Sequence, residues 1–223
     1  MQEIASFIEH TLLKPDATAE DIRTLCAEAR THRFHAVCVN GGWVTLARDQ
    51  LEETTIQVVS TVGFPLGAMD SDVKRFETEA AIDAGAQEID MVLHIGRLKD
   101  NDARYVLREI RDVVEAADER PVKVIIETGL LSREEKLRAC EWILDSGARF
   151  VKTSTGFSRA GATAEDVQLL RRAVGEKFGV KASGGIRDTQ TALALIEAGA
   201  NRIGTSHGVA IAEGVMLARA DSY

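Results

Sequence analysis

Three charged residues interrupt otherwise apolar stretches of this 223-residue chain. Asp90 lies between Ile89 and Met91, Lys152 follows Phe150 and Val151, and Lys181 lies between Val180 and Ala182. A buried charge is costly unless it is paired. Three such residues converging on one place therefore point to chemistry rather than to solvated strand ends. Two ammonium groups held close together repel, and desolvation adds to the repulsion. Together these effects lower one lysine toward a pKa of about 7 to 8, leaving free amine to attack a carbonyl and form an imine. Asp90 supplies the opposite charge and a group able to pass protons, directly or through a bound water.

A second kind of chemistry is written in glycine. The run from Lys181 to Arg187 and the run from Gly204 to Gly208 each follow a strand as a glycine-rich turn leading into a helix. A single Gly-Gly pair is more often only a tight turn. Two such turns after successive strands present free amides to an anion, and phosphate is the anion that loops of this kind bind at the end of a barrel. The candidates are Gly184, Gly185, Arg187, Gly204, Ser206 and His207, with Gly156 completing the cradle.

The elements that must position these residues are short β-rich segments alternating with longer amphipathic ones, the pattern of βαβ units and a parallel sheet. Eight strands are predicted: Ile8–Leu12, His35–Asn40, Gln57–Val62, Glu88–Leu93, Val122–Glu127, Arg149–Thr153, Val180–Ser183 and Arg202–Gly204. The intervening helices are predicted over Ala19–His32, Ser71–Ala84, Asp102–Ala117, Ser132–Asp145, Thr163–Phe178 and Thr189–Ala198, where apolar residues recur at three- and four-residue steps. Thr18, Asp70, Ser132, Thr163 and Asp188 are suited to cap them. A weak repeat runs through Ala81–Asp90, Ile143–Lys152 and Leu195–Gly204. In each copy a glycine (Gly85, Gly147, Gly199) falls where a helix end requires positive φ.

The expected fold is a single-domain TIM (β/α)8 barrel over residues 1–223 with a short flexible tail from about residue 218; an open doubly wound sheet is the alternative. In a barrel, strand residues alternate between lumen and helix layer and the active site occupies the C-terminal mouth. The polar strand-end residues are then Glu9, Thr11, Cys38, Asn40, Thr61, Asp90, Glu127, Lys152 and Lys181. Lys152 and Lys181 fall on adjacent strands about 4.8 Å apart. Cys38 faces the lumen in this register, more plausibly for packing than for chemistry.

Composition excludes other classes. A formal net charge of −8 without a Lys/Arg block argues against nucleic acid. No apolar run reaches the ~18 residues of a spanning helix. The segment Met1–His10 carries acidic residues and no basic leader, so a secretory signal is not expected. Cys26, Cys38 and Cys140 form no pairable motif, which fits a reducing, cytoplasmic setting. The five histidines, at 10, 32, 35, 94 and 207, lack ligand spacing, so no metal and no other cofactor is expected.

The segments Ile8–Lys14, Val37–Asn40, Glu88–Val92, Val151–Gly156, Lys181–Ile186 and Gly204–Ser206 together resemble the deoxyribose-phosphate aldolase family, along nearly the whole chain. The resemblance implies reversible, metal-independent cleavage of 2-deoxy-D-ribose 5-phosphate to D-glyceraldehyde 3-phosphate and acetaldehyde, in deoxyribonucleoside breakdown. It implies Lys152 as the Schiff-base lysine, Lys181 as the lysine that perturbs it and shares in proton relay, and Asp90 as acid/base partner. It also implies a homo-oligomer, dimer or tetramer. Glu9 stands where the family often has Asp, His94 where Asn is common, and His207 where a second Ser is common; none of the three is expected to touch the lysine pair. His94 reads as a loop or helix-start residue rather than a catalyst, and His207 as either added charge for a phosphate or a cap on the last helix. Glu9, Thr11, Cys38 and the terminal Tyr223 are the possible assisting residues, Tyr223 because family members often end in a tyrosine that visits the site. Another imine-forming barrel aldolase, or a sugar-phosphate-binding regulator, are the competing readings.

Overall fold

Val and Ile recur through the predicted strands, which suits a parallel sheet covered by helices outside and packed side chains inside. In a computed structural model describing residues 2–158 and 160–214, the elements run α1 (Gln2–Ala5), β1 (Ile8–Leu12), α2 (Ala19–His32), β2 (Ala36–Val39), α3 (Val44–Gln50), β3 (Gln57–Val62), α4 (Ser71–Asp83), β4 (Glu88–Val92), α5 (Ile95–Lys99), α6 (Ala103–Ala116), β5 (Val122–Ile125), α7 (Arg133–Leu144), β6 (Phe150–Lys152), α8 (Ala164–Val174), β7 (Gly179–Ser183), α9 (Thr189–Glu197), β8 (Arg202–Thr205) and α10 (Gly208–Glu213). Every neighbouring pair of strands is parallel, and β8 returns to β1, so the sheet closes into a single eight-stranded barrel. The open-sheet alternative is thereby excluded.

The helices pack on the barrel by the stripes that their spacing dictates. In α2 the buried residues are Ile22, Leu25, Cys26 and Ala29; in α8 they are Val167, Leu170 and Val174. All five anticipated caps accept a bond from a first-turn amide, and Thr18 and Ser132 close full capping boxes. Gly85, Gly147 and Gly199 adopt φ of 102°, 91° and 113°, conformations in which a side chain would be strained.

The differences from expectation are local. α8 stops at Val174 because Gly175 leaves the helix with φ 75°. α3 and α5 were not anticipated: both are short, and α3 follows Gly41 and Gly42 and opens with β-branched residues, so its local signal is weak. One buried ion pair in the helix layer also has no sequence signal. Lys74 on α4 donates to Glu109 on α6 at 2.5 Å and to the carbonyls of Gly67 and Val92 at 2.8 Å, while Glu109 accepts the His94 amide at 2.9 Å. The pair ties the loops after β3 and β4 to the helices behind them.

Candidate active site

Five strands deliver charged side chains to the barrel lumen: Glu9 from β1, Glu88 and Asp90 from β4, Lys123 from β5, Lys152 from β6 and Lys181 from β7. Register makes this possible, since Lys152 pairs with Lys181 and Asp90 pairs with Lys123 across their ladders. Asp90 is the hub. Its Oδ2 accepts from Lys152 Nζ at 2.7 Å and Lys181 Nζ at 2.6 Å, and its Oδ1 accepts from Lys123 Nζ at 3.0 Å. Lys181 also donates to Glu9. Lys123 lies 2.5 Å from Glu88 Oε2 and 3.5 Å from Glu9 Oε1. His35, below β2, reaches Glu88 at 3.6 Å.

The three residues anticipated as catalytic are thus brought together. The expectation that Glu9 stays clear of the lysine pair is wrong. Its carboxylate bonds Lys181 directly, because β1 closes the barrel beside β8 and its inward side chain spans the lumen. Lys123 is not among the expected site residues, although it interrupts Val122 and Val124 just as Lys181 interrupts its own strand. It is the second residue of β5, away from the strand end that faces the mouth, where strand position alone gives no signal for chemistry.

Exposure separates the lysines. Lys152 keeps 3% of its surface, whereas Lys123 and Lys181 keep none, so Lys152 is the one that meets the mouth. Burial lowers Lys152 from the ordinary lysine value; Asp90 opposes that and Lys181 reinforces it. Lysine–lysine repulsion therefore contributes, but desolvation is the larger cause, the reverse of the order given by charge spacing alone. Burial would lower Lys181 too, yet Asp90 and Glu9 outweigh it and hold that ammonium above its ordinary range. Lys123 is held well above its range against burial by Asp90, Glu9 and Glu88. Burial likewise disfavours the Asp90 carboxylate, but the surrounding lysines hold it well below the usual range. Cys38 is fully buried with Sγ 4.0 Å from Asp90 Oδ2; burial, with Asp90 beside it, pushes its thiol up to about 11. A protonated, inert thiol matches the packing role read for it.

Above Lys152 a cleft of about 240 Å3 opens at the C-terminal mouth. Its walls include Gly156, Gly184, Gly185, Arg187, Gly204, Ser206 and His207, all seven of the anticipated anion-site residues, together with Thr11. Lys14, two residues beyond the end of β1, also lines it and adds a cation. Gly156 and Gly184 hold φ of 85° and 89°, and a Cβ on Gly184 would meet the Cα atoms of Gly161 and Gly156 at 3.2 and 3.4 Å. Gly204 is required for a different reason: a Cβ there would press on Lys181 Cε at 3.0 Å.

His207 does not cap α10 with its side chain; its ring contacts Ser206 Oγ at 3.1 Å. Burial, with Arg187 and His10 nearby, lowers its pKa from the ordinary histidine value, which disfavours a charged ring in the cleft it lines. His94 caps α5 through Nδ1, as its position suggested. Thr11 donates to the carbonyl of Glu9 at 2.9 Å. Glu127 lies beyond the end of β5 and bonds the loop after β6 rather than the lysines. Tyr223 and the tail from residue 218 lie outside the described residues. Among the described residues no three His, Cys, Asp or Glu side chains converge as a metal-binding group, and no helix is long and apolar enough to cross a membrane.

A closed parallel barrel with a buried lysine under a glycine-walled mouth defines a (β/α)8 enzyme built for carbonyl substrates. The model of the DeoC/LacD family of aldolases matches residues 6–221, and the chain belongs to that family; it is an aldolase, a lyase. It is 56% identical over 216 residues to the deoxyribose-phosphate aldolase of Thermococcus gammatolerans, covering 95% of this chain and 96% of that protein. Identity to deoxyribose-phosphate aldolase 1 of Bacillus licheniformis is 54% over 215 residues, covering 96% of each. Among solved structures, a tetrameric deoxyribose phosphate aldolase from Aeropyrum pernix superposes with a TM-score of 0.89 at 34% identity, over 95% of this chain and 90% of that one.

Proposed function

We propose that this chain cleaves 2-deoxy-D-ribose 5-phosphate reversibly to D-glyceraldehyde 3-phosphate and acetaldehyde through a Schiff base on Lys152. The observation that carries this is the Lys152 amine, buried, lowered from its ordinary pKa and within hydrogen-bond reach of Asp90 at the base of the cleft.

The uncharged amine attacks the aldehyde carbon of the open-chain sugar, and loss of water leaves an iminium. The hydroxyl proton on C3 passes to a base, the C2–C3 bond breaks, and its electron pair moves into the iminium. Glyceraldehyde phosphate departs and an enamine remains. Protonation of the enamine carbon and addition of water then release acetaldehyde and restore the amine. Asp90 and Lys181, joined by a 2.6 Å bond next to Lys152, are the pair through which these protons travel. The phosphate lies in the cleft against the turns of Gly156, Gly184, Gly185, Gly204 and Ser206, with Arg187 supplying charge and His207 a hydrogen-bonding ring. Thr11 lines the same cleft, and Glu9 sets the charge of Lys181. The chain acts in the cytoplasm as a homo-oligomer, in line with the tetrameric relative.

The test is reductive trapping. Incubation with acetaldehyde and borohydride is expected to leave an ethyl adduct on Lys152 by peptide mass, absent from Lys152→Ala. An intact protein that takes up no adduct would overturn the reading in favour of a non-catalytic binder.

A further inference from the structure

Glu127 takes no part in the lysine network, yet it is buried and its backbone sits at φ 52°, ψ 68°. That left-handed conformation costs a non-glycine residue free energy and persists only where its surroundings hold it. Both carboxylate oxygens are occupied by one neighbour, the loop after β6. Oε2 accepts from the Thr155 hydroxyl at 2.6 Å and the Thr155 amide at 3.2 Å, and Oε1 accepts from the Ser158 hydroxyl at 2.9 Å. The next residues reinforce the contact. The Thr128 amide donates to the Thr153 carbonyl at 2.9 Å, and Gly129 approaches so closely that a Cβ on it would lie 2.4 Å from the Cβ of Ala160.

The supported loop carries Gly156 into the cleft and then crosses the turn after β7. There the Ala162 amide donates to the Gly184 carbonyl at 3.0 Å, and a Cβ on Gly161 would fall 2.3 Å from that same oxygen. One buried carboxylate therefore anchors a loop that forms one wall of the cleft and rests on the other.

We propose that Glu127 is a positioning residue for the phosphate end of the substrate, acting through Thr155 and Ser158 to set the preference for phosphorylated over unphosphorylated sugar. The proposal rests on the reading of the cleft as a phosphate site. Oε2 takes two donors from Thr155, and the single Ser158 hydroxyl proton is shared between Oε1 and the Ala160 carbonyl at 3.2 Å, so a glutamine can hold Thr155 only by turning its NH2 onto the Ser158 oxygen and giving up the charge-assisted bonds of the carboxylate.

The experiment compares the parent with Glu127→Gln on three substrates: 2-deoxyribose 5-phosphate, 2-deoxyribose, and acetaldehyde with borohydride. KM for the phosphorylated sugar is expected to rise about tenfold or more, because small displacements of positioning groups are costly. Meanwhile kcat/KM for 2-deoxyribose and the trapping rate at Lys152 stay within about twofold. Equal losses on all three substrates, or an unchanged KM for the phosphorylated sugar, would overturn it. Ser158→Ala removes one donor and keeps the carboxylate. It is expected to give a smaller rise confined to the phosphorylated sugar, and it decides the matter where Glu127→Gln does not fold. A parent that shows no preference for the phosphorylated sugar sinks the phosphate reading itself and the proposal with it, an outcome visible before any variant is made.

Discussion

Competing influences meet at Lys152. Burial penalises its ammonium form, Lys181 adds repulsion, and Asp90 draws the charge back. Lys123, Lys152 and Lys181 face Glu9, Glu88 and Asp90 in one lumen, so when Lys152 is uncharged the carboxylates hold the excess. A positive iminium at that nitrogen restores the balance, which is preorganisation toward the intermediate rather than the resting amine. The sign of one substitution follows. Lys181→Leu removes a repelling cation and leaves Asp90 one partner fewer, and both changes favour ammonium at Lys152. The apparent pKa for imine formation is expected to rise, so the acid limb of the trapping rate shifts to higher pH and the rate at neutrality falls; an unshifted limb contradicts this account. At this scale the sequence was informative where a charge broke an apolar strand near its end, as at Asp90, Lys152 and Lys181. It was silent on Glu9's contact with Lys181, since the partners are 172 residues apart.

At the scale of elements, the legible features are those built from neighbours in sequence. Ser132 accepts the Glu135 amide at 3.2 Å while Glu135 accepts the Ser132 amide at 2.7 Å, a reciprocal pair that needs only four consecutive residues. Ser132→Ala is expected to lower stability by about 1 kcal/mol and leave turnover intact. Thermal denaturation beside a rate assay checks both; an unchanged midpoint would mean that the Lys99–Glu135 ion pair, 3.0 Å apart, holds the start of α7 without the cap. The helix-ending glycines were legible for the same reason, since positive φ is a property of one residue and its immediate turn. The short helix α3 was not, because its stability comes from Val44 and Ala47 packing on the barrel and not from local propensity over only seven residues.

For the molecule as a whole, closure of β8 onto β1 seals the charged lumen, and its ion pairs link folding to pH. Glu88 shows the sign. Burial alone would raise it, but Lys123 and His35 outweigh burial and bring its carboxyl from 4.5 to about 2. A carboxylate depressed in the folded state contributes stability that is present above pH 4.5 and lost as pH falls toward 2. Denaturant unfolding across that interval is expected to show a shallower decline for Glu88→Gln than for the parent, with lower stability for the variant at neutrality; parallel curves would remove Glu88 from the account. The sequence by itself determined the alternation of strands and helices, their caps and turns, the two lysines with their carboxylate, and the glycine loops at the mouth. Each of these follows from residue type and short spacing. Only the tertiary structure decided that Lys123, Glu9 and Glu88 complete the charge cluster, that burial outranks repulsion at Lys152, and that Glu127 serves a neighbouring loop. Those outcomes depend on closing the sheet, which fixes distances between residues far apart in the chain and removes the water that would otherwise screen them.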